Sequence, residues 1–212
     1  MRQEQPEART PVSAEAIGAC VRSSRSQAGL SLRALSRRIG LSPSFISQLE
    51  QGKAMPSVQT LHLIASELGL SVGQILDEPV RPRIPSNYWR APSDGPVLRA
   101  DNRPSIVVGS GVRWGRLTAA RDPNVDFLYA FYPPNSESCP SDEQLTHFGS
   151  EYGIVLDGRL GATIGDDSYE LKPGDSISFE ASCPHRFWAA CGASATAIWF
   201  VLSRGADPRI AG

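Results

Sequence analysis

SLRALSRRIGLSPSFISQLEQGK, residues 31–53, decides the reading of the N-terminal third. Leu32, Leu35 and Ile39 share one helical face and Ile46 and Leu49 another, so the spacing predicts two short helices. Gly40 stands where the first must end in a left-handed residue, and Ser42 before Pro43 is a helix start. The two helices are joined by a tight turn at 39–42. Outward from this pair the same period continues. Ile17, Val21, Ser24 and Ala28 form one stripe, and Val58, Leu61, Ala65 and Leu68 another. Ser31, Ser57 and Ser71 precede periodic segments, and Gly29, Gly52 and Gly69 follow segment ends. Five short helices are expected between about Ser13 and Leu76.

The second helix of the pair buries Ile46 and Leu49. That leaves Ser44, Ser47, Gln48 and Gln51 outside, with Phe45 at the flank. Amide and hydroxyl side chains there suit base edges: Gln pairs with adenine in a bidentate way, and Ser both donates and accepts. Arg33 and Arg37 point away from the apolar stripe, toward where phosphates would lie. Net charge over all 212 residues is -1. Locally the balance differs: Cys20–Thr60 holds six basic side chains against Glu50 alone. Such one-sided charge is the footprint of a phosphate-binding surface.

Composition changes after residue 78. Pro79, Pro82, Pro85, Pro92 and Pro96 make 79–104 a stiff linker. Beyond it the period becomes two. SIVVG, VRWGRLT, DFLYAFY, YGIVLDG, RLGATIG, SYEL, SISFE and AIWFVLS read as strands, with GDD at 165–167 as a hairpin turn. Many short antiparallel strands over about 105–205 imply a sandwich or jelly roll. Residues 1–12 are polar and expected to be a disordered tail. No apolar run spans a membrane and the N-terminus has no apolar signal core, so a cytoplasmic protein is expected. Cys20, Cys139, Cys183 and Cys191 form no CxxC pair and are expected to be reduced thiols.

Of three histidines, His62 falls beside the apolar stripe of the fourth helix and reads as a surface or packing residue. His147 and Glu151 stand four apart in HFGSE, and His185 follows Pro184 in PHRF. Two imidazoles and a carboxylate are a facial ligand set for Fe(II), and also suit Zn, Mn or Ni. The same three side chains also make a hydrogen-bonded cluster lining a metal-free pocket. Tyr129, Phe131, Tyr152, Phe187 and Trp199 alternate along strands, so some of them point into a barrel, and Arg186 beside His185 is placed to pair an anionic ligand.

Residues 17–76 resemble the repressor/Cro-type helix-turn-helix of bacterial and phage regulators. The resemblance implies that Ser42 caps the recognition helix, that Ser44, Phe45 and Gln48 are base-side positions, and that Arg37 lies near the DNA backbone; Arg33 and Lys53 complete the candidate DNA-binding set. Residues 105–203 resemble the cupin superfamily through THFGSEYGIVLDG and the stretch from Pro173-Gly174-Asp175 to PHRFW. That implies a double-stranded antiparallel β-barrel with Gly158 closing the first motif. Metal cupins usually carry His-x-His ahead of the carboxylate; here Leu145 holds the first of those positions. Ala189 stands where a late Asn is common. His147, Glu151 and His185 are the three ligands that remain.

The expected architecture is therefore α+β in two domains: a five-helix repressor-like domain at 13–78 and a cupin jelly roll at 105–205. This order resembles a widespread family of bacterial regulators. It implies binding of an operator duplex, a small-molecule effector in the barrel with or without a divalent metal, and a homodimer. The hydroxypropylphosphonate epoxidases share the domain order and imply a second reading, a mononuclear non-haem iron oxygenase. In those enzymes the helical domain supplies a substrate lysine near its first helix–helix loop. Here that loop, SQAGLS, has none, and the chain's only lysines are Lys53 and Lys172. The regulator reading, with no catalytic residue, is the one the sequence favours.

Overall fold

The structure, a computed structural model, describes residues 10–75, 95–120, 122 and 124–202. The tail up to residue 9, and the linker expected at 79–104 as far as residue 94, lie outside the described residues.

Five helices come first: α1 (Ala14–Gln27), α2 (Leu32–Ile39), α3 (Pro43–Glu50), α4 (Val58–Leu68) and α5 (Val72–Ile75). Their starts are local chemistry. Ser13, Ser31, Ser42 and Ser57 each accept a hydrogen bond on the side-chain oxygen from the backbone N–H three residues on. Gly40 closes α2 at φ 70°, a left-handed conformation that a side chain resists. Ile17, Val21, Leu35, Ile46, Leu49, Leu61 and Ile64 fill the core between the helices. Arg25 of α1 ties that core together. Its Nε and Nη2 donate to the two oxygens of Glu50 on α3 at 2.6 and 2.9 Å, and its Nη1 to the Leu30 carbonyl at 2.7 Å. One of the six basic charges near the turn is thus spent on architecture.

Nine strands follow: β1 (Ser105–Val107), β2 (Arg113–Arg116), β3 (Val125–Tyr132), β4 (Ser150–Gly158), β5 (Leu160–Ile164), β6 (Asp167–Leu171), β7 (Ser176–Glu180), β8 (His185–Ala189) and β9 (Ala195–Leu202). They form a six-stranded sheet, β1-β2-β3-β9-β4-β7, and a three-stranded sheet, β6-β5-β8, all antiparallel. Eight strands were expected. The ninth, β8, is the HRFWA stretch that the sequence offers only as a ligand motif. It pairs with β5 from Leu160↔Ala189 to Ile164↔His185. None of the four cysteines is joined in a disulfide. Among the described residues, no helix is long and apolar enough to cross a membrane.

The two blocks are docked. Val72 and Gly73, opening α5, donate their backbone N–H groups to the Asp126 carboxylate of β3 at 2.9 and 2.6 Å. Gly109 N–H reaches the Pro56 carbonyl at 3.2 Å, and Val12 N–H reaches Ser105 O at 2.7 Å.

Arg25→Met leaves the Glu50 carboxylate nearly enclosed and unpaired. Removing one partner of such a pair costs roughly 3 kcal/mol. Urea denaturation should show that loss, and unchanged stability would make the bridge ornamental.

Candidate functional site

The helix-turn-helix presents its outer face to solvent. Arg33, Arg37, Ser42, Ser44, Gln48 and Lys53 are exposed, while Phe45 is half-buried against the helical core. Ser42 is committed twice, accepting from Phe45 N at 3.2 Å and sharing a hydrogen bond with Ser44 Oγ at 3.1 Å. Gln51 Nε2 donates to Ser47 Oγ at 2.9 Å, which ties down two outer side chains and leaves Gln48 as the amide with no such tether among the described residues. Arg38 pairs with Glu67 of α4 at 2.7 Å.

The barrel brings His147, Glu151 and His185 together. One ligand atom from each lies within 4.8 Å of the others. Three separate elements deliver them: the loop before β4, the start of β4, and the start of β8. Both Nε2 atoms converge on one carboxylate oxygen, Glu151 Oε1, at 2.6 Å from His147 and 3.4 Å from His185. The outer nitrogens are engaged elsewhere. His147 Nδ1 donates to the Phe148 carbonyl at 3.2 Å, and His185 Nδ1 to the Cys183 carbonyl at 2.9 Å. A carbonyl only accepts, so each Nδ1 carries its proton and each Nε2 of the neutral ring turns a lone pair inward. The second carboxylate oxygen accepts from Trp199 Nε1–H at 2.5 Å. Trp199 fits there because Gly153 has no side chain: a Cβ at that position would lie 2.2 Å from the indole.

Three electron-rich atoms facing one another in a buried space need a positive charge between them. Despite its burial, His147 Nε2 has no well-directed hydrogen-bond partner among the described residues. Two solutions exist, a proton or a cation. Without a cation, burial alone would lower the His147 pKa, but the hydrogen bond and charge of Glu151 outweigh burial and raise it. Burial alone would raise Glu151; the two histidines outweigh that and hold it well below the usual carboxylate range. With a divalent cation, the same donors are a His–Glu–His ligand set whose outer partners already orient every ring. The residues fit a metal.

Most of the aromatic residues proposed for the pocket lie elsewhere. The cavity beside the triad is lined by Trp114, Leu128, Ala130, Tyr132, Phe187 and Trp199, among others. Phe187 and Trp199 are there as expected. Tyr129 lies on the outer side of β3 under the Arg103 guanidinium, Phe131 shares that outer side, and Tyr152 is exposed on β4. The register differs by one residue, because both faces of DFLYAFY are apolar and period two cannot choose between them. Arg186 is also turned away, pairing with Glu137 and lying over the Trp188 ring at 4.7 Å. His62 is the residue the sequence undervalued. Its ring stacks on His147 at 4.4 Å and 3°, and meets Trp114 edge-on at 5.4 Å. Burial and then the neighbouring His147 push its pKa well below the ordinary imidazole value, so His62 is neutral. The available signal was a polar ring at the edge of an apolar stripe, which says nothing of a second domain.

The geometry defines a two-domain protein that joins a helix-turn-helix to a cupin barrel. Comparison with known proteins agrees on both parts. A helix-turn-helix family matches residues 21–75, and a cupin-domain family matches residues 129–202. The HTH-type transcriptional regulator PuuR of Escherichia coli K12 is 30% identical over 165 residues, covering 77% of this chain and 82% of that one. The crystal structure of a transcriptional regulator from Vibrio cholerae superposes with a TM-score of 0.64 at 20% identity, covering 89% of this chain and 96% of that one, which shows the fold. The hydroxypropylphosphonic acid epoxidase of S. wedmorenis is 24% identical with a TM-score of 0.45, covering 90% and 98%, too loose a match to bear on function. The chain belongs to the family of helix-turn-helix transcriptional regulators that carry a C-terminal cupin domain.

Trp199→Phe removes the donor that orients Glu151. Loss of such an outer partner typically weakens metal binding 10–100-fold. Titration with Co2+ should show that drop; equal affinity would separate Trp199 from the centre.

Proposed function

We propose that this protein binds an operator duplex through α3 and regulates transcription in response to a small molecule held in the barrel. The observation that carries the reading is the pairing of two sites in one chain. An exposed Gln48/Ser44 face stands beside Arg33, Arg37 and Lys53, and a buried His–Glu–His centre sits behind the same helical domain. Gln48 and Ser44 would contact base edges, with Phe45 packing at the flank; Arg33, Arg37 and Lys53 would neutralise phosphates. His147, Glu151 and His185 would hold the divalent cation. When bound, it supplies a positive charge and open coordination positions for a polar group of the effector. Phe187, Trp199 and Leu128 then supply the apolar wall against which the rest of that molecule lies. Two features favour a regulator over an oxygenase: the named curated relative is a regulator, and the first helix–helix loop lacks a lysine.

The working unit is a homodimer joined through the six-stranded sheet. The outer face of that sheet carries rows of apolar side chains in cross-strand register. Phe127, Phe200 and Tyr152 sit side by side with edge-on ring contacts at 6.1 and 6.0 Å, and Tyr129, Ile198 and Ile154 form the next row. Tyr152, Ile154 and Leu156 are 47, 41 and 48% exposed, a concentration of apolar surface that suits a second copy of the chain. A two-fold pair would set two α3 helices roughly 34 Å apart, one DNA turn, on a pseudo-palindrome.

The test is fluorescence anisotropy on DNA from upstream of the protein's own gene, at two salt concentrations, with and without a chelator. Gln48→Ala should cost about 1–3 kcal/mol at one base position, whereas Arg37→Ala should weaken all sequences alike and lower the salt slope by about 1. Binding that is weak and insensitive to sequence in the wild type would overturn the reading. Ile154→Asp should shift the protein from dimer to monomer in sedimentation at micromolar concentration; a wild-type monomer would remove the dimer from the account.

A further inference from the structure

Helix α4 belongs to two structures at once. Leu61, Ile64, Ala65 and Leu68 are buried in the helical core. Val58 and His62, at the edge of that face, line the barrel cavity with Glu151 and His185. The mouth of the barrel is therefore closed by a side chain of the DNA-binding domain. With His62 in place, the cavity measures about 20 Å³. That is room for roughly one water, whereas a benzene-sized ligand needs on the order of 150 Å³.

The barrel walls have little freedom to enlarge that space. Leu128, Trp199 and Val201 sit on the paired strands β3 and β9, whose register runs unbroken from Val125↔Leu202 to Tyr132↔Ala195. Phe187 sits on β8, paired with β5 along its whole length. His62 is different. It is one side chain on a helix of another domain, held at the mouth by ring contacts with His147 and Trp114. A second cleft of about 390 Å³ runs beside it. Arg38, Leu63 and Glu67 form one wall, and Thr146, His147 and Phe148 the other. That cleft reaches His147 from outside and offers an approach to the mouth. Of the other docks, Val72 and Gly73 on Asp126 lie just beyond the C-terminal end of α4 and can act as the pivot, whereas the Gly109–Pro56 hydrogen bond just before α4 breaks when the helix leaves the mouth.

The geometry points to His62 as the element through which an occupant of the barrel acts on the DNA-binding domain. The occupant takes the place of the imidazole, and α4 leaves the mouth. This rests on the regulator reading and deepens it. The ligand class follows from the lining: a small, mostly apolar molecule with one polar group directed at the His147–Glu151–His185 cluster. Ligand binding and α4 docking are then mutually exclusive, so the docked arrangement is the effector-free state. Such a ligand shifts the equilibrium only by its preference for the open form.

Full-length wild type, His62→Ala and His62→Phe are compared in the presence of a chelator. The probe is 4-methylimidazole, the side chain that the alanine variant lacks. Hydrogen–deuterium exchange reports on residues 58–68 and 145–151, and anisotropy reports on an operator duplex selected with the wild type. His62→Ala should raise exchange on both segments at least tenfold and change duplex affinity at least fivefold, the lower end of common allosteric couplings. Millimolar 4-methylimidazole should reverse both effects in that variant and leave the wild type unchanged. His62→Phe retains a ring, should stay docked, and serves if the alanine variant does not fold; for it, open-state exchange with wild-type DNA affinity would overturn the inference. Faster exchange in His62→Ala with affinity within twofold of wild type would reduce His62 to interdomain packing. Unchanged exchange would show that His62 does not hold α4. If the wild type binds no duplex above competitor, the regulator reading fails and the coupling with it, while exchange still decides whether His62 closes the mouth.

Discussion

Glu151 is a carboxylate 2% exposed inside a barrel whose other lining is mostly apolar. An ionised group in that setting carries a desolvation cost of several kcal/mol unless it is surrounded by donors. Much of the barrel's particular sequence answers that demand. Trp199 donates to one oxygen, and Gly153 gives up its side chain to let the indole in. His147 and His185 close on the other oxygen, each steered by a backbone carbonyl behind it, and a proton or a cation between them completes the balance. Replacing any one of these groups leaves the rest facing unbalanced charge, so the cluster acts as a unit.

What the sequence disclosed and what it withheld follow from range. Helix starts and ends depend on a residue and its neighbours within four positions, so Ser31, Ser42, Ser57, Gly40 and Gly69 were legible. The His–Glu–His cluster was legible as well, because His147, Glu151 and His185 sit in two short motifs of recognisable spacing. Barrel register was not. In β3, Val125–Tyr132, apolar residues occupy both faces, and only the cross-strand neighbours decide that Leu128, Ala130 and Tyr132 go inside. Tyr129 and Phe131 are left outside, where Tyr129 meets Arg103. β8 was hidden because its five residues follow a proline and include a histidine and an arginine, a composition that reads as loop.

His62 shows the same limit at the level of domains. Periodicity assigns a residue to the face of its own helix. It cannot announce that this face of α4 meets Trp114 and His147 of a barrel in another part of the chain. The contact at Asp126 is of the same kind. A β-strand carboxylate supplies the hydrogen bonds at the start of α5, the service that serines within the helical domain perform for the preceding helices. Burial raises the Asp126 pKa while the two backbone donors oppose that shift, so its charge is stabilised by the docked helix itself.

Two of the joints between the domains differ physically. The Asp126 joint is made of directional hydrogen bonds to backbone groups, which lose their partners if the domains separate. The His62 joint is made of ring contacts around a small cavity, which a ligand's own apolar atoms can replace at little net cost. A molecule entering the barrel competes with the second joint and leaves the first untouched. The expected motion is thus a rotation of the helical domain about the α5 end rather than its release. In a two-fold dimer, even a modest rotation of that kind changes the distance between paired α3 helices. On the proposed reading, operator affinity would depend on that distance because the two half-sites are fixed on the duplex. A small side chain at a barrel mouth can in this way be read out tens of ångströms away without any continuous path of rearranged residues through the helical core.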